Sequence, residues 1–165
     1  DLFGPTPERL TERIRERRRR HDELASKIPE FVFVGESTDP ATWESRSDNT
    51  SSPLSGGETN HGFPGCPGVS DGRASVVLDS HDPMALEPGD VLVAPITDPS
   101  GTPVFVPAGG VVVDVGAALS HAIIVSRELG IPCVVSATDA TRRIPDGALV
   151  RVDGNTGTVT VLEMP

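Results

Sequence analysis

Tyrosine is missing from the 165 residues, tryptophan occurs once, and aromatic residues make up only 4% of the chain. Together with 17 glycines and 16 prolines, that scarcity excludes collagen-like and coiled-coil architectures and points to a small, turn-rich core rather than a helical bundle. Long apolar runs are missing too. The longest, such as Gly109 to Val113 and Ala122 to Val125, fall far short of the ~18 to 20 residues that a membrane span requires. A soluble protein with no membrane partner is expected. The two cysteines, Cys66 and Cys133, are far apart in sequence and form no C-x-x-C pair, so they support neither a zinc site nor a disulfide framework. A reducing cytoplasm is the default location. There is no P-loop motif and no carboxylate cluster suited to a metal, so the chain alone is expected to bind no metal and no cofactor.

Positive charge is also scarce. Fourteen basic residues face 24 acidic ones, for a formal net charge of −10, which disfavours nucleic acid and anionic membranes as partners. Seven of the 14 are arginines between Arg9 and Arg20, leaving the remainder more acidic still. Glu8, Glu12, Glu16, Asp22 and Glu23 are interleaved with them, the pattern of a solvated or domain-contacting helix face rather than of a nucleic-acid-binding one. At 17.3 kDa the chain has room for one ordinary domain and some extra. No secretory signal opens it, and Asp1 rather than Met stands first, which reads as a processed product or, preferably, an excised piece of a longer polypeptide.

Three regions follow from the patterning. Residues 1–34 comprise a helix opened by Thr6-Pro7-Glu8 and running to about Lys27, then a short extended segment, Phe31 to Val34, after Pro29. The helix carries a thin apolar stripe of Leu10, Ile14, Leu24 and Ile28. Residues 35–66 read as a flexible linker, since 20 of the 28 residues from Gly35 to Gly62 are Ser, Thr, Gly, Pro, Asn or Asp. Trp43 is its largest apolar group and is expected to dock locally. Residues 67–165 form the compact domain. Strands are predicted at Ser75–Leu78, Val91–Ala94, Val111–Val115, Cys133–Val135, Leu149–Val152 and Thr158–Leu162, the last two joined by an Asp153-Gly154-Asn155-Thr156-Gly157 loop. Ser120 to Leu129 reads as a helix stopped by Gly130 and Pro132.

The chemistry concentrates at Gly116-Ala117-Ala118-Leu119-Ser120-His121, a small-residue loop after a buried strand and directly before a helix. Unpaired first-turn amides and the positive end of the helix dipole favour an anion there. An imidazole, with an unperturbed pKa of about 6.5, is largely neutral at pH 7 and is a nucleophile toward phosphorus. His121 is therefore the catalytic candidate, with Gly116 and Ser120 as phosphate-positioning residues; capping of the helix is the competing reading of Ser120. Arg127, six positions along the helix, points elsewhere, toward an ion pair or the helix C-terminus. His61 and His81 lack ligand spacing and read as solvated.

The stretches Gly110 to Gly116 and Ala118 to Val135, with Ser120-His121-Ala122-Ile123 followed by Arg127-Glu128-Leu129-Gly130-Ile131-Pro132, strongly resemble the mobile phosphohistidine domain of phosphoenolpyruvate-utilising enzymes. The likeness extends through Pro67 to Gly72, Leu86 to Val93, Ala140 to Gly147 and Val150 to Val159, covering nearly all of residues 67 to 162. Ile96 to Ser100 and Thr102 to Phe105 resemble the rifampicin phosphotransferase-like branch more than the dikinases. The resemblance implies an α/β fold, the swivelling β/β/α phosphohistidine domain, preceded here by a helix and a linker. It implies that His121 carries a phosphoryl group from an ATP-grasp domain to an acceptor-binding domain and a small-molecule substrate. ATP and magnesium are then expected on the ATP-grasp partner.

Three positions depart from the family pattern. Gly101 stands where that branch usually has tryptophan, Ala117 replaces a loop glycine, and Leu119 replaces a threonine that is a regulatory site in some dikinases. The alternative kept beside the carrier reading is a non-catalytic interaction or regulatory module that retains the fold.

Overall fold

The computed structural model describes residues 7–28, 35, 38–45, 51–78 and 86–165. The chain divides into two compact units, Asp1–Thr50 and Ser51–Pro165.

In the N-terminal unit, helix α1 spans Pro7–Ala25. It stops short of the expected Lys27 because strand β1, Lys27–Ile28, pairs antiparallel with strand β2, Glu44–Ser45. A single 3-10 turn, Pro40–Thr42, precedes β2; Asp39 caps it by accepting from the Ala41 amide. Trp43 docks locally, its indole N–H donating to Thr38 Oγ1 at 2.9 Å while Lys27 Nζ donates to the Trp43 carbonyl. Leu10 and Ile14 stay exposed on α1. The predicted extended segment Phe31 to Val34 lies outside the described residues.

Among its described residues the second unit holds eight strands. They are β3 (Thr59–His61), β4 (Phe63–Cys66), β5 (Val69–Val76), β6 (Val91–Ala94), β7 (Gly110–Val113), β8 (Cys133–Val135), β9 (Leu149–Asp153) and β10 (Thr158–Glu163). Helix α2 (Thr102–Phe105) follows β6, α3 (His121–Leu129) joins β7 to β8, and α4 (Ala140–Arg143) follows β8. The spatial order is β3-β10-β9-β5-β6-β7-β8-β4. Strand β5 belongs to two ladders: Val69 to Arg73 pair antiparallel with β9, and Ala74 to Val76 pair parallel with β6. Pairing stays parallel through β7 and β8, and β4 closes the row antiparallel.

Alternation along the central strands builds two cores. Leu92, Ala94, Val111, Val113, Cys133 and Val135 face Phe105, Ala122 and Ile123 of the helices. Val91, Val93, Val112 and Val134 face the opposite way, onto Val150, Val152, Val159 and Val161 of the β9–β10 ribbon and Ile144 after α4. Burial on both faces is why β6, β7 and β8 read as unbroken apolar runs. The layers are strand ribbon, central sheet and helix, the expected β/β/α arrangement. Gly130 ends α3 with φ 71°, a left-handed conformation that glycine adopts without a Cβ clash.

Two sequence expectations are corrected. The linker assigned to residues 35–66 does not extend over residues 51–66, which belong to the compact unit. Leu54 is fully buried and its amide donates to the Arg143 carbonyl; the Gly57 amide donates to Val161. Polar composition hid this because β3 and β4 are held mainly by backbone pairing to the outer strands β10 and β8, not by apolar side chains. His61, expected in the linker, sits exposed on β3, and His81 lies outside the described residues. Strand β5 also begins at Val69 rather than Ser75, since its first half pairs with β9 and leaves polar residues facing solvent.

One position tests the correction. A Cβ at Gly154 would meet the Cys66 carbonyl oxygen at 1.8 Å. Gly154→Ala is therefore expected to lower stability by about 3 kcal/mol or more through overpacking against backbone, read as a drop in the denaturant midpoint. An unchanged midpoint would mean that residues 51–66 are not anchored to the β9–β10 turn.

Candidate functional site

The site lies at the C-terminal ends of the parallel strands β6 and β7. The Asp114 amide donates to Ala94 and the Val115 amide to Pro95, extending the β6–β7 pairing by two residues and setting the level at which the following loop starts. Gly116 then passes tightly beside β8: an added Cβ would lie 2.8 Å from Val135 Cβ and 3.2 Å from Ser120 Oγ. Its carbonyl accepts from the Ser136 hydroxyl. A turn closed by the Ser120 amide on the Ala117 carbonyl leads into α3.

His121 is the first residue of α3. The first helical bond runs from the Ile124 amide to the Ser120 carbonyl, so the amides of His121, Ala122 and Ile123 have no acceptor within the helix. Ser120 occupies the N-cap with extended backbone (φ −69°, ψ 156°), yet its side chain caps nothing. Its hydroxyl is buried and has no hydrogen-bond partner among the described residues. Ser120 thus stands at the N-cap position without the side-chain capping bond that the competing reading expected.

The imidazole of His121 is half-buried and held on three sides. Its ring meets Phe105 at right angles, with centroids 5.6 Å apart. Nδ1 is hydrogen-bonded to Thr97 Oγ1 at 3.1 Å, and Nε2 to Thr102 Oγ1 at 3.2 Å. Both threonines flank one 3-10 turn, Pro99–Gly101, in which Asp98 accepts from the Ser100 amide as N-cap. An acidic cap followed by proline is a legible signal in Asp98-Pro99. It was missed as part of the site because nothing local ties it to a histidine 19 to 24 positions later.

Of the sequence-predicted residues, the structure brings Gly116, Ser120 and His121 together and places Arg127 elsewhere, its Nε donating to the Gly65 carbonyl at 3.0 Å. Ala117 is not among the residues with positive φ, so the alanine substituted for a loop glycine causes no left-handed strain. The two cysteines, distant in sequence, are register partners on β4 and β8. They remain free, burial raises both thiol pKa values, and that of Cys133 is pushed up to about 11. Neither is a competent nucleophile at neutral pH. Among the described residues no group of three or more His, Cys, Asp or Glu side chains is arranged to hold a metal, and no helix is long and apolar enough to cross a membrane.

This arrangement, a histidine opening a helix over the end of a swivelling β/β/α domain, defines a class. Residues 86–157 match the family described as PEP-utilising enzyme, mobile domain. An uncharacterized protein of Mycobacterium tuberculosis is 40% identical over 165 residues, which cover 99% of this chain and 18% of that protein. Rifampicin phosphotransferase of Streptomyces sviceus is 45% identical over 101 residues, 61% of this chain and 12% of the enzyme. Phosphoenolpyruvate synthase of Aeropyrum pernix is 48% identical over 99 residues, 59% of this chain and 12% of the enzyme. The chain thus spans less than a fifth of the length of these relatives, in which the mobile domain is one part of a longer polypeptide.

Behind the loop, the Asp114 carboxylate accepts from the Thr141 amide at 2.9 Å and the Thr141 hydroxyl at 2.5 Å, tying the end of β7 to α4. Burial outweighs these bonds and raises its pKa above the ordinary 3.8. Between the ordinary value and the raised one, the folded state holds a proton that the unfolded chain has released, so this group's contribution to stability falls as pH rises through that window. In Asp114→Asn this component is expected to vanish from the pH dependence of unfolding. An unchanged slope across the window would contradict it.

Proposed function

We propose that this domain is a phosphoryl carrier, with His121 accepting a phosphoryl group from an ATP-grasp nucleotide-binding domain and delivering it to a small molecule held by an acceptor-binding domain. The observation that carries this reading is the placement of His121 at the start of α3, beside three amides without helical acceptors and the unpartnered Ser120 hydroxyl. In the transfer step the bond from phosphorus to the donor oxygen breaks as the bond to an imidazole nitrogen forms; delivery reverses this with the acceptor oxygen. Catalysis of this kind is positioning plus stabilisation of charge on the transferring oxygens. Ser120 and the first-turn amides supply hydrogen bonds, and Gly116 provides the room.

Cationic help has to come from the partner. The sequence has no lysine or arginine between Arg73 and Arg127, the interval that contains the whole site. We assign ATP and magnesium to the partner domain for that reason. The surface around the histidine supports docking of another domain: Ile96, Val106, Val115, Leu119 and Ile124 are all exposed, Leu119 by 83%. Each lies within three positions of a residue that forms or contacts the site. The interaction-module reading loses one of its two motives, since Ala117 carries no backbone strain.

His121→Ala in the complete enzyme is expected to abolish turnover while leaving the fold intact by circular dichroism. Ser120→Ala is expected to slow transfer by about 10- to 150-fold, the equivalent of the roughly 1.5–3 kcal/mol that a hydrogen bond to a charged group contributes. Turnover retained by His121→Ala would refute the carrier role.

A further inference from the structure

Cys66 and Cys133 are the only cysteines of the chain, and folding sets them opposite one another on the antiparallel pair β4 and β8. Register partners on antiparallel strands have Cα atoms about 4.5 to 5.5 Å apart, inside the range of about 4.4 to 6.8 Å that a disulfide spans. Their side chains share a face: both are buried in the apolar cluster that includes Ala122 and Ile123 of α3. A Cβ at Gly65 would stand 3.2 Å from Cys133 Sγ, so that sulfur rests against the backbone next to Cys66, and glycine at 65 leaves room for it. The thiol proton of Cys66 is dispensable. It goes to the Ser126 carbonyl at 3.6 Å, which already accepts the Gly130 and Ile131 amides at the end of α3. Losing it leaves that carbonyl paired.

We propose that Cys66 and Cys133 are an oxidation site, a dithiol that a low-molecular-weight disulfide converts reversibly to an intramolecular disulfide stapling β4 to β8. The closed protein protects both thiols, and entry is through the edge. Strand β4 has one neighbouring strand in the sheet; Pro64 has no amide N–H for the ladder, and the register slips between Pro64 and Cys66. An outer strand held this thinly is where local opening begins, and Cys66 is the sulfur that opening carries into water. Its thiolate attacks one sulfur of the oxidant, the S–S bond breaks, and half of the oxidant leaves as a thiolate that takes up the Cys66 proton. With β4 back in place, the Cys133 thiolate attacks Cys66 Sγ and expels the second half, which takes up the Cys133 proton. The two protein sulfurs are oxidised, and the small disulfide is reduced to two thiols. The new bond closes a loop containing β5, β6, β7, α2 and α3, a long loop whose constraint on the unfolded chain favours the folded one. None of this rests on the carrier reading.

The test is refolding of the 165-residue chain from denaturant in a mixture of reduced and oxidised glutathione, so that access to the sulfurs is not limiting. Free thiols are then trapped with N-ethylmaleimide in denaturant and the intact mass is measured. The expected product is a monomer lighter by two hydrogen atoms, free of maleimide, with the Cys66 and Cys133 peptides joined. It should keep the backbone amide spectrum of the reduced protein outside β4 and β8. Its unfolding midpoint should lie above that of the reduced chain, a difference removed by dithiothreitol and absent in Cys66→Ala and Cys133→Ala. When the folded, reduced variants are exposed to oxidised glutathione, Cys133→Ala should retain one glutathione on Cys66, whereas Cys66→Ala should stay unmodified. Two maleimides, glutathione adducts or linked dimers in the refolded wild type would overturn the proposal, as would a disulfide obtained only with loss of the native amide spectrum. Modification of Cys133 in Cys66→Ala as fast as that of Cys66 in Cys133→Ala would overturn the route through β4. Amide spectra report whether each variant folds, and the wild-type product decides the proposal without them.

Discussion

Strands β6, β7 and β8 have no solvent face, and the position of every functional group follows from that constraint. Each alternating residue must find an apolar partner on one side or the other. One set is covered by Phe105, Ala122 and Ile123, the other by the β9–β10 ribbon. Covering the first side requires a helix between β7 and β8, and the parallel pairing of those strands requires a crossover connection there. Helix α3 satisfies both requirements at once. Its start consequently falls over the carboxyl ends of β6 and β7, where loops gather and where an unpaired helix terminus meets solvent. The same packing that buries Ile123 sets His121 at the rim.

The site combines a rigid underside with an apolar, cation-free surface. Phe105 and two threonines hold the imidazole, and Gly116 passes close to Ser120 just before it in the chain. Residues 51 to 165 carry 13 acidic and five basic side chains, and the nearest of the five in sequence, Arg127, is turned to the Gly65 carbonyl. A domain of this charge attracts cationic surfaces and repels phosphate in the absence of a partner. That combination suits a carrier which is loaded only when docked.

Legibility in the sequence tracked the range of the interactions. Strands β6 and β8 were read at their observed limits, because two-sided burial writes itself as consecutive Val, Leu, Ile or Cys. Helix α3 was framed by Ser120 and Gly130 for equally local reasons. Strands β3 and β4 were not legible: they join the sheet edges through backbone bonds to segments about 70 to 100 positions away, and their composition is that of a linker. His121, Gly116 and Ser120 were found from a short contiguous loop. Thr97, Thr102 and Phe105 were not assigned to the site, since only the folded chain brings the end of β6 against the start of α3. The same limit hid the juxtaposition of Cys66 and Cys133.

The central claim is that a phosphoryl group resides on His121, and its most direct test is mass spectrometry of the protein from its native cells, handled at alkaline pH because phosphohistidine is acid-labile. The account predicts one phosphoryl group on the peptide containing His121, lost on brief acid treatment. A peptide that remains unmodified even after addition of ATP, magnesium and an extract able to phosphorylate a related domain would contradict it, as would an acid-stable phosphate on Ser120.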